Sequence, residues 1–160
     1  MGDFDLVADA LRAEGVEIFF AQVAVKPGKP TVFGRRGRTL VFGLPGNPVS
    51  TFVMFEILVR PSVRKRLGRA VVRAETVKAN LAHAFDKVYE RDQVIPATLR
   101  REGAGLVVAR TEWHGSADLF GLSRSNAMFL IPARTGPYPA GTEVTVMPIP
   151  EPEPVPEGRP

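Results

Sequence analysis

The loop GLPGNP (residues 43–48), which joins a predicted strand to a predicted helix, has the residue types that hold anions. Its two glycines allow a ligand to approach the backbone closely, and its two prolines stiffen the loop around them. Asn47 offers a side-chain amide. Ser50 and Thr51 place hydroxyls in the first helical turn, where backbone N–H groups and a partial positive charge also face the loop. We therefore predict an anion site here, with a purely structural strand-to-helix turn as the alternative.

The loop KPGKP (residues 26–30), which follows another predicted strand, is a second candidate anion site. Lys26 and Lys29 lie on a proline-stiffened segment, and lysine ammonium groups attract phosphates and other oxyanions as point charges. The alternative is an ordinary pair of solvated surface lysines. Because ligands of α/β folds bind beyond the carboxyl ends of strands, we expect the KPGKP loop and the GLPGNP loop to meet at one site.

Two carboxylates near the start of the chain form a third candidate site. Asp3 and Asp5, in the segment GDFD, lie where the chain enters a predicted helix. Carboxylate oxygens are suitable ligands for Mg²⁺, so the pair could hold that cation. The alternative is structural, because an N-capping Asp3 and an Asp5 in the first turn would both stabilise the helix N-terminus.

The composition disfavours several other kinds of site. The chain of 160 residues has no cysteine and only two histidines, His83 and His114, which excludes disulfides and thiolate metal sites and disfavours a His-rich zinc site. His114 has no acid or nucleophile at a telling spacing, so we interpret it as an ordinary histidine. No apolar run is long enough to span a membrane, and the acidic N-terminus lacks the signal-peptide pattern. We therefore expect a cytoplasmic protein with no membrane partner.

An excess of basic residues raises the question of an anionic macromolecular partner. The net charge is +4, and much of the excess lies between Arg60 and Arg69. We interpret this cluster as the C-terminal end of a helix, where cations are favoured. Because no aromatic side chains interleave with these arginines to form a stacking platform, we expect no nucleic-acid partner.

Hydrophobic periodicity and turn residues predict the elements that would position these sites. In the first part we predict a helix at 3–14, strands at 16–24, 31–33 and 39–42, a buried helix at 49–59 and, after a break or kink at Pro61, a second helix at 61–67 that ends at Gly68. Beyond it we predict five short strands at 71–81, 93–101, 105–113, 127–132 and 143–149. The predicted fold is an α/β unit at 1–69, a small all-β barrel at 70–149 and a proline-rich tail at 150–160.

Several segments resemble the molybdopterin molybdenumtransferase family, which includes MoeA and the gephyrin E domain. The segments VAVKPGKPTVFG and GLPGNPVSTFVMFEILVRPSVRK are similar to the C-terminal part of its catalytic domain, and GDFD is similar to its GD(Y/F)D segment. GSADLFGLSRSNAMFLIP resembles its GSxxLxSLxxAN segment. The resemblance implies part of a MogA-like molybdopterin-binding α/β domain, followed by the family's C-terminal β-barrel domain.

This resemblance also implies an activity and a set of site residues. The family inserts molybdenum from molybdate into adenylylated molybdopterin and releases AMP, in a step that needs a divalent cation such as Mg²⁺. Asp3 and Asp5 match its acidic pair, implicated in catalysis and in metal binding, and Lys26 and Lys29 match its catalytic lysines. The residues that match its substrate-binding loops are Gly28, Pro30, Gly43, Pro45, Gly46, Asn47, Pro48, Ser50 and, in the barrel, Arg91. A homodimer is implied as well.

Family members are much longer than this chain, and the resemblance begins in the middle of their catalytic domain. We therefore expect a fragment with an exposed sheet edge, with poor solubility or a dependence on oligomerisation, and with negligible transferase activity by itself. In the barrel, some relatives have a second Arg near Pro96, and only Arg91 matches here. Two alternatives stay open. One is a non-catalytic binding or scaffold module, and the other is a related molybdopterin adenylyltransferase, although that protein lacks the arrangement from KPGKP to the barrel.

Overall fold

Two sheets carry the loops of interest. The structure, a computed structural model, describes residues 6–112 and 119–149, with the backbone alone at 119 and 120. Its first part contains α1 (Val7–Ala13), β1 (Glu17–Phe20), β2 (Val25–Lys26), β3 (Val32–Arg36), β4 (Thr39–Gly43), α2 (Pro48–Met54), a π-helical turn (Phe55–Val59) and α3 (Arg60–Arg66). Its second part contains β5 (Val77–Leu81), β6 (Asp92–Glu102), β7 (Gly105–Arg110), α4 (Leu119–Ser123), β8 (Ala127–Ile131) and β9 (Glu143–Pro148).

The first sheet has three antiparallel strands in the order β1-β3-β4. Strands β3 and β4 form the predicted hairpin, which is confirmed and extends to Arg36 and Gly43. Gly37, with a φ of +59°, supplies the left-handed backbone conformation in its turn. The predicted strand at 16–24 is wrong beyond Phe20, because the chain leaves this sheet there and then forms the separate short strand β2.

A continuous helical segment follows the GLPGNP loop, so Pro61 does not interrupt it. The predicted second helix at 61–67 is confirmed as α3, which begins one residue earlier and has Pro61 in its first turn. Pro61 has no N–H, and in a regular α-helix its ring would clash with the Ile57 carbonyl. The π-helical turn at Phe55–Val59 lies directly before α3 and relieves this conflict by widening the helix. Gly68, with a φ of +68°, ends the segment as predicted. None of the helices in the described residues is long and apolar enough to cross a membrane.

The second part of the described chain forms a closed barrel of five strands. Its strands follow the order β6-β7-β5-β9-β8, and an additional pairing of β6 with β8 closes the sheet. Buried apolar side chains from all five strands fill the barrel, among them Phe129 and Val146. The predicted fold class is therefore confirmed. The predicted strand at 71–81 is wrong at its start, because pairing with β9 begins only at Val77.

Helix α2 packs against the outer face of the barrel, and this contact joins the two parts. Val53 and Met54 of α2 share a buried cluster with Val94 of β6 and Met128 of β8. The next residue along β6, Ile95, belongs to the core inside the barrel instead, because side chains alternate between the two faces of a strand. Strand β2 makes a second connection, since it pairs in parallel with the start of β6.

Candidate functional site

The KPGKP and GLPGNP loops lie at the same end of the β3–β4 hairpin. Val32, the first residue of β3, pairs with Gly43, the last residue of β4. The chain enters β3 from Lys29 and leaves β4 towards Asn47. This register therefore places the backbones of the two loops side by side at one end of the hairpin.

The cause of this arrangement differs from the predicted one. Both loops were expected to follow strands of one α/β sheet, but β2, which carries Lys26, pairs with β6 of the barrel and belongs to the barrel's sheet. Within the hairpin, the KPGKP loop precedes β3 and the GLPGNP loop follows β4. Antiparallel pairing, rather than the shared carboxyl ends of parallel strands, thus places the loops side by side.

Hydrogen bonds hold the backbone of the KPGKP loop. The Lys29 carbonyl accepts from the Val23 N–H at 3.0 Å and from the Thr31 N–H at 2.9 Å. The buried Thr31 hydroxyl donates to the Gly28 carbonyl at 2.6 Å. Gly28 has a φ of +128°, and a Cβ there would lie 2.5 Å from the Met54 side chain. The loop and α2 together therefore fix the backbone from which the two lysines extend.

Lys26 lies exposed where the first part of the chain meets the barrel. Its ammonium group sits over the Tyr89 ring, 5.6 Å from the ring centroid, in a cation–π contact. Arg91 directly precedes Asp92, which pairs with Val25 of β2. The pairing of β2 with β6 therefore places the backbone of Arg91 beside the strand that carries Lys26.

The GLPGNP loop uses most of its polar groups to hold its own shape. Asn47 caps α2, since its side-chain oxygen accepts from the Ser50 N–H at 3.3 Å and from the Ser50 hydroxyl at 3.5 Å. The Asn47 carbonyl accepts from the Thr51 N–H at 2.8 Å and from the Thr51 hydroxyl at 2.9 Å, and that hydroxyl also contacts the Pro45 carbonyl. Pro48 has no N–H to offer. The hydroxyls and backbone N–H groups of Ser50 and Thr51 are therefore engaged at the start of α2.

Helix α1 approaches the entrance of the GLPGNP loop. A Cβ at Gly43 would lie 3.0 Å from Val7 Cγ1, so the first residue of α1 packs against the last residue of β4. Asp3 and Asp5 lie outside the described residues, and their site stays a prediction. Among the residues that the structure does describe, no group of three or more His, Cys, Asp or Glu side chains could hold a metal ion.

The remaining loop residues differ in exposure, in that Pro45 is buried, Pro30 and Gly43 are half-buried and Gly46 is exposed.

The arginines of α3 have partners within the molecule. Nε and Nη2 of Arg60 donate to the two oxygens of the buried Glu56 carboxylate, each at 2.7 Å. That hydrogen bonding raises the pKa of Arg60, burial opposes the rise, and the Coulombic attraction of Glu56 adds to it. Arg64 and Arg66 donate to backbone carbonyls. Three of the basic residues between Arg60 and Arg69 are therefore bonded within the molecule, in keeping with their interpretation as part of a helix end. His114 lies outside the described residues.

Three residues that shape the site were missed in the sequence. Tyr89 lies under Lys26, Met54 packs against Gly28, and Thr31 ties down the Gly28 carbonyl. The role of Thr31 could have been predicted, because Thr31 directly follows the loop and hydroxyl side chains near turns often form hydrogen bonds with the backbone. Tyr89 and Met54 are far from the KPGKP loop in sequence, and no local pattern indicates their contacts with it.

Comparison with protein families matches both parts of the chain. Residues 1–65 match the family described as "Probable molybdopterin binding domain", and residues 78–149 match the family described as "MoeA C-terminal region (domain IV)". Curated molybdopterin molybdenumtransferases from Staphylococcus epidermidis and Staphylococcus aureus are 30% and 29% identical over 147 residues. Each match covers 92% of this chain and 35% of the relative. The chain therefore spans about a third of the length of these curated relatives.

Solved structures share the fold. The crystal structure of the molybdopterin biosynthesis MoeA protein from Pyrococcus horikoshii is similar with a TM-score of 0.76 and 30% identity, over 92% of this chain and 35% of that one. A molybdenum cofactor biosynthesis protein from Pyrococcus furiosus is similar with a TM-score of 0.68 and 25% identity, over 91% of this chain and 55% of that one. Both similarities extend over the first part of the chain as well as the barrel.

Proposed function

Because this chain belongs to the MoeA family of molybdenum cofactor biosynthesis, we propose that it forms part of a molybdopterin molybdenumtransferase. In the proposed reaction, water cleaves the adenylate from adenylylated molybdopterin with release of AMP. Molybdenum from molybdate then bonds to the two dithiolene sulfurs, and one oxygen of molybdate leaves as water with the two thiol protons. The observation that carries the proposal is the junction where the KPGKP loop, the GLPGNP loop and the start of β6 meet.

The basic residues at this junction suit the proposed substrates. Phosphate and molybdate are oxyanions, and fixed cations stabilise them most where the backbone is already held in place. In our proposal Lys26, Lys29 and Arg91 bind these oxygens, and the GLPGNP loop forms a rigid wall beside them. Gly28 keeps the KPGKP backbone close to α2, where a larger residue would meet Met54. These residues thus bind and orient the anions, and they stabilise the charge that develops as AMP leaves.

The role of a divalent cation rests on two residues that lie outside the described part of the chain. By family resemblance, Asp3 and Asp5 would hold Mg²⁺, whose positive charge would assist the departure of AMP. The described residues offer no metal cluster of their own.

Three further predictions from the sequence stay proposals. We divide the chain into domains at 1–69 and 70–149, with a tail at 150–160, and we propose a homodimer and a cytoplasmic location. The presence of the barrel supports a molybdenumtransferase over the alternative of an adenylyltransferase. A non-catalytic module with the same fold is the remaining alternative, and it would not need to bind the oxyanions.

Ligand-dependent thermal unfolding of the full chain tests the proposal. A ligand that binds only the folded state stabilises it in proportion to RT ln(1 + [L]/Kd). We expect sodium molybdate to raise the unfolding midpoint of the chain, and we expect Lys29→Met to remove at least half of that rise. The variant Lys65→Met is the matched control, because Lys65 is an exposed lysine in the last turn of α3, away from both loops.

Sodium sulfate at the same ionic strength separates specific binding from a general salt effect. If molybdate protects no better than sulfate, or if Lys65→Met lowers the protection as much as Lys29→Met, the oxyanion site is not where we propose it. The scaffold alternative would then be favoured.

A further inference from the structure

An open groove with apolar walls runs along α3, on a different part of the surface from the proposed oxyanion site. It has a volume of about 740 Å³ and lies between the helical segment and the connection that leads to the barrel. The large apolar side chains that line it are substantially exposed, namely Phe55 (39%), Val63 (47%), Leu67 (68%) and Val71 (55%). Such a group of exposed apolar side chains marks an interaction site.

The groove is also basic. Three arginines line it against two glutamates. Arg60 is paired with Glu56, whereas Arg64 donates to a neutral backbone carbonyl. Arg64 and Arg69 then outnumber the remaining acid, Glu75. An occupant in which apolar residues alternate with acidic ones would therefore complement the groove.

A segment of this composition begins at the edge of the groove. Pro148, at the end of β9, is itself one of the lining residues. The chain then continues as residues 150–160, PEPEPVPEGRP, in which prolines alternate first with Glu151 and Glu153, then with Val155 and Glu157. Proline-rich segments favour the polyproline II conformation, whose rise of about 3.1 Å per residue would let this segment reach about 34 Å. The helical segment from Phe55 to Leu67 is only about 18 Å long at 1.5 Å per residue.

We propose that residues 150–160 dock in this groove of the same chain as an acidic, proline-rich strap. Its prolines and Val155 cover Phe55, Val63 and Leu67, and its glutamates lie beside Arg64 and Arg69. This proposal is independent of the proposed function, because it uses none of the residues of the oxyanion site.

The strap is favoured over other occupants for two physical reasons. A segment tethered at the groove has an effective concentration in the millimolar range, which a separate partner must exceed. A proline-rich segment also loses little conformational entropy when it binds, since its extended shape is formed beforehand. A second copy of the chain would bring its own basic groove to this one, and like charges would oppose that contact.

Disulfide trapping in the full chain tests the strap. The chain has no cysteine, so a pair introduced by substitution is the only pair that can form. We would compare Leu67→Cys/Val155→Cys with the control Leu130→Cys/Val155→Cys under mild oxidation. Leu130 is exposed on β8, and the same strand pairs with Pro148 through Ala127, so an undocked segment would reach both positions. We expect intramolecular trapping at Leu67→Cys to be at least about tenfold faster than at Leu130→Cys.

Two further measurements are the effect of charge on the trapping rate and whether the disulfide forms within one chain or between two chains. Replacing the strap's glutamates by lysine, or raising the salt concentration, should slow trapping at Leu67→Cys but leave the control unchanged. Equal trapping rates at the two positions would overturn the proposal. So would a disulfide that forms mainly between chains at Leu67→Cys, since a second copy would then occupy the groove.

Discussion

The barrel and the three-stranded sheet cover their apolar residues to very different degrees. In the barrel each strand pairs on both sides, and Phe129 and Val146 are 1% and 0% exposed. In the described three-stranded sheet β1 and β4 are outer strands, and Phe19 of β1 is 49% exposed. A closed sheet has no free edge, whereas an open sheet presents unpaired backbone groups and one uncovered face.

This difference indicates that the barrel completes its own core, while the three-stranded sheet relies on contacts with other surfaces. Ring contacts from Phe33 to Phe19 and Phe42, with centroids 5.4 and 4.9 Å apart, join the strands without covering them. The connection to the barrel runs through the KPGKP loop and α2, which meet at Gly28 and Met54. The expected poor solubility or oligomerisation concerns this sheet, and both stay predictions.

The largest effect is expected from a cavity in the barrel. Phe129→Ala removes a fully buried ring that packs edge-on against Phe85, and it should lower the free energy of unfolding by about 3–5 kcal/mol. The adjacent Leu130→Ala is the control, because Leu130 is 38% exposed and its truncation should cost less than about 1 kcal/mol. Urea unfolding followed by circular dichroism measures both. Equal losses would mean that the barrel is not the self-contained core we describe.

A second substitution tests the junction between the two parts. Gly28→Ala places a methyl group at a φ of +128° and within 2.5 Å of the buried Met54 side chain. Backbone strain and overpacking together should lower the free energy of unfolding by about 2–3 kcal/mol. Gly15→Ala is the control, since Gly15 also has a positive φ but would bring its Cβ within 4 Å of nothing. Urea unfolding of both variants isolates the contribution of the Met54 contact.

If the two glycine substitutions lower stability equally, the KPGKP loop is not braced by α2, and the two parts are less coupled than the comparison implies.

The barrel and the hairpin could be predicted from the sequence because their signals are local. The turn at Gly37 lies between short runs of β-forming residues, and the five barrel strands are bounded by glycines and prolines. In β6, residues 93–97 are all buried, so the alternation of apolar and polar residues does not show which face of this strand points into the barrel. The structure explains this burial, since one face lies inside the barrel and the other packs against α2.

The junction could not be predicted, because it depends on residues that are distant in sequence. The pairing of Val25 with Asp92 joins two strands that lie far apart in the chain, and no local pattern indicates it. The same holds for Tyr89 beneath Lys26. At Pro61, the sequence correctly indicates a conflict in the helix but not its solution, since a break and a π-helical turn both relieve it.

The smallest of these effects is expected from an ion pair in the first part of the chain. Arg60→Met leaves the Glu56 carboxylate, which is 3% exposed, without its bidentate partner. Because Arg60 itself is 35% exposed and partly screened by water, we expect a loss of about 2 kcal/mol in the free energy of unfolding, less than for a fully buried pair. The double variant Glu56→Leu/Arg60→Met should recover most of this loss, because it leaves no unpaired buried charge. The pKa of Arg60 is raised by Glu56, so its contribution is complete below the ordinary arginine pKa and is lost only as the pH rises through the raised value. Urea unfolding of both variants at pH 7 measures the two changes, and a double variant that is no more stable than Arg60→Met would contradict this account of the pair.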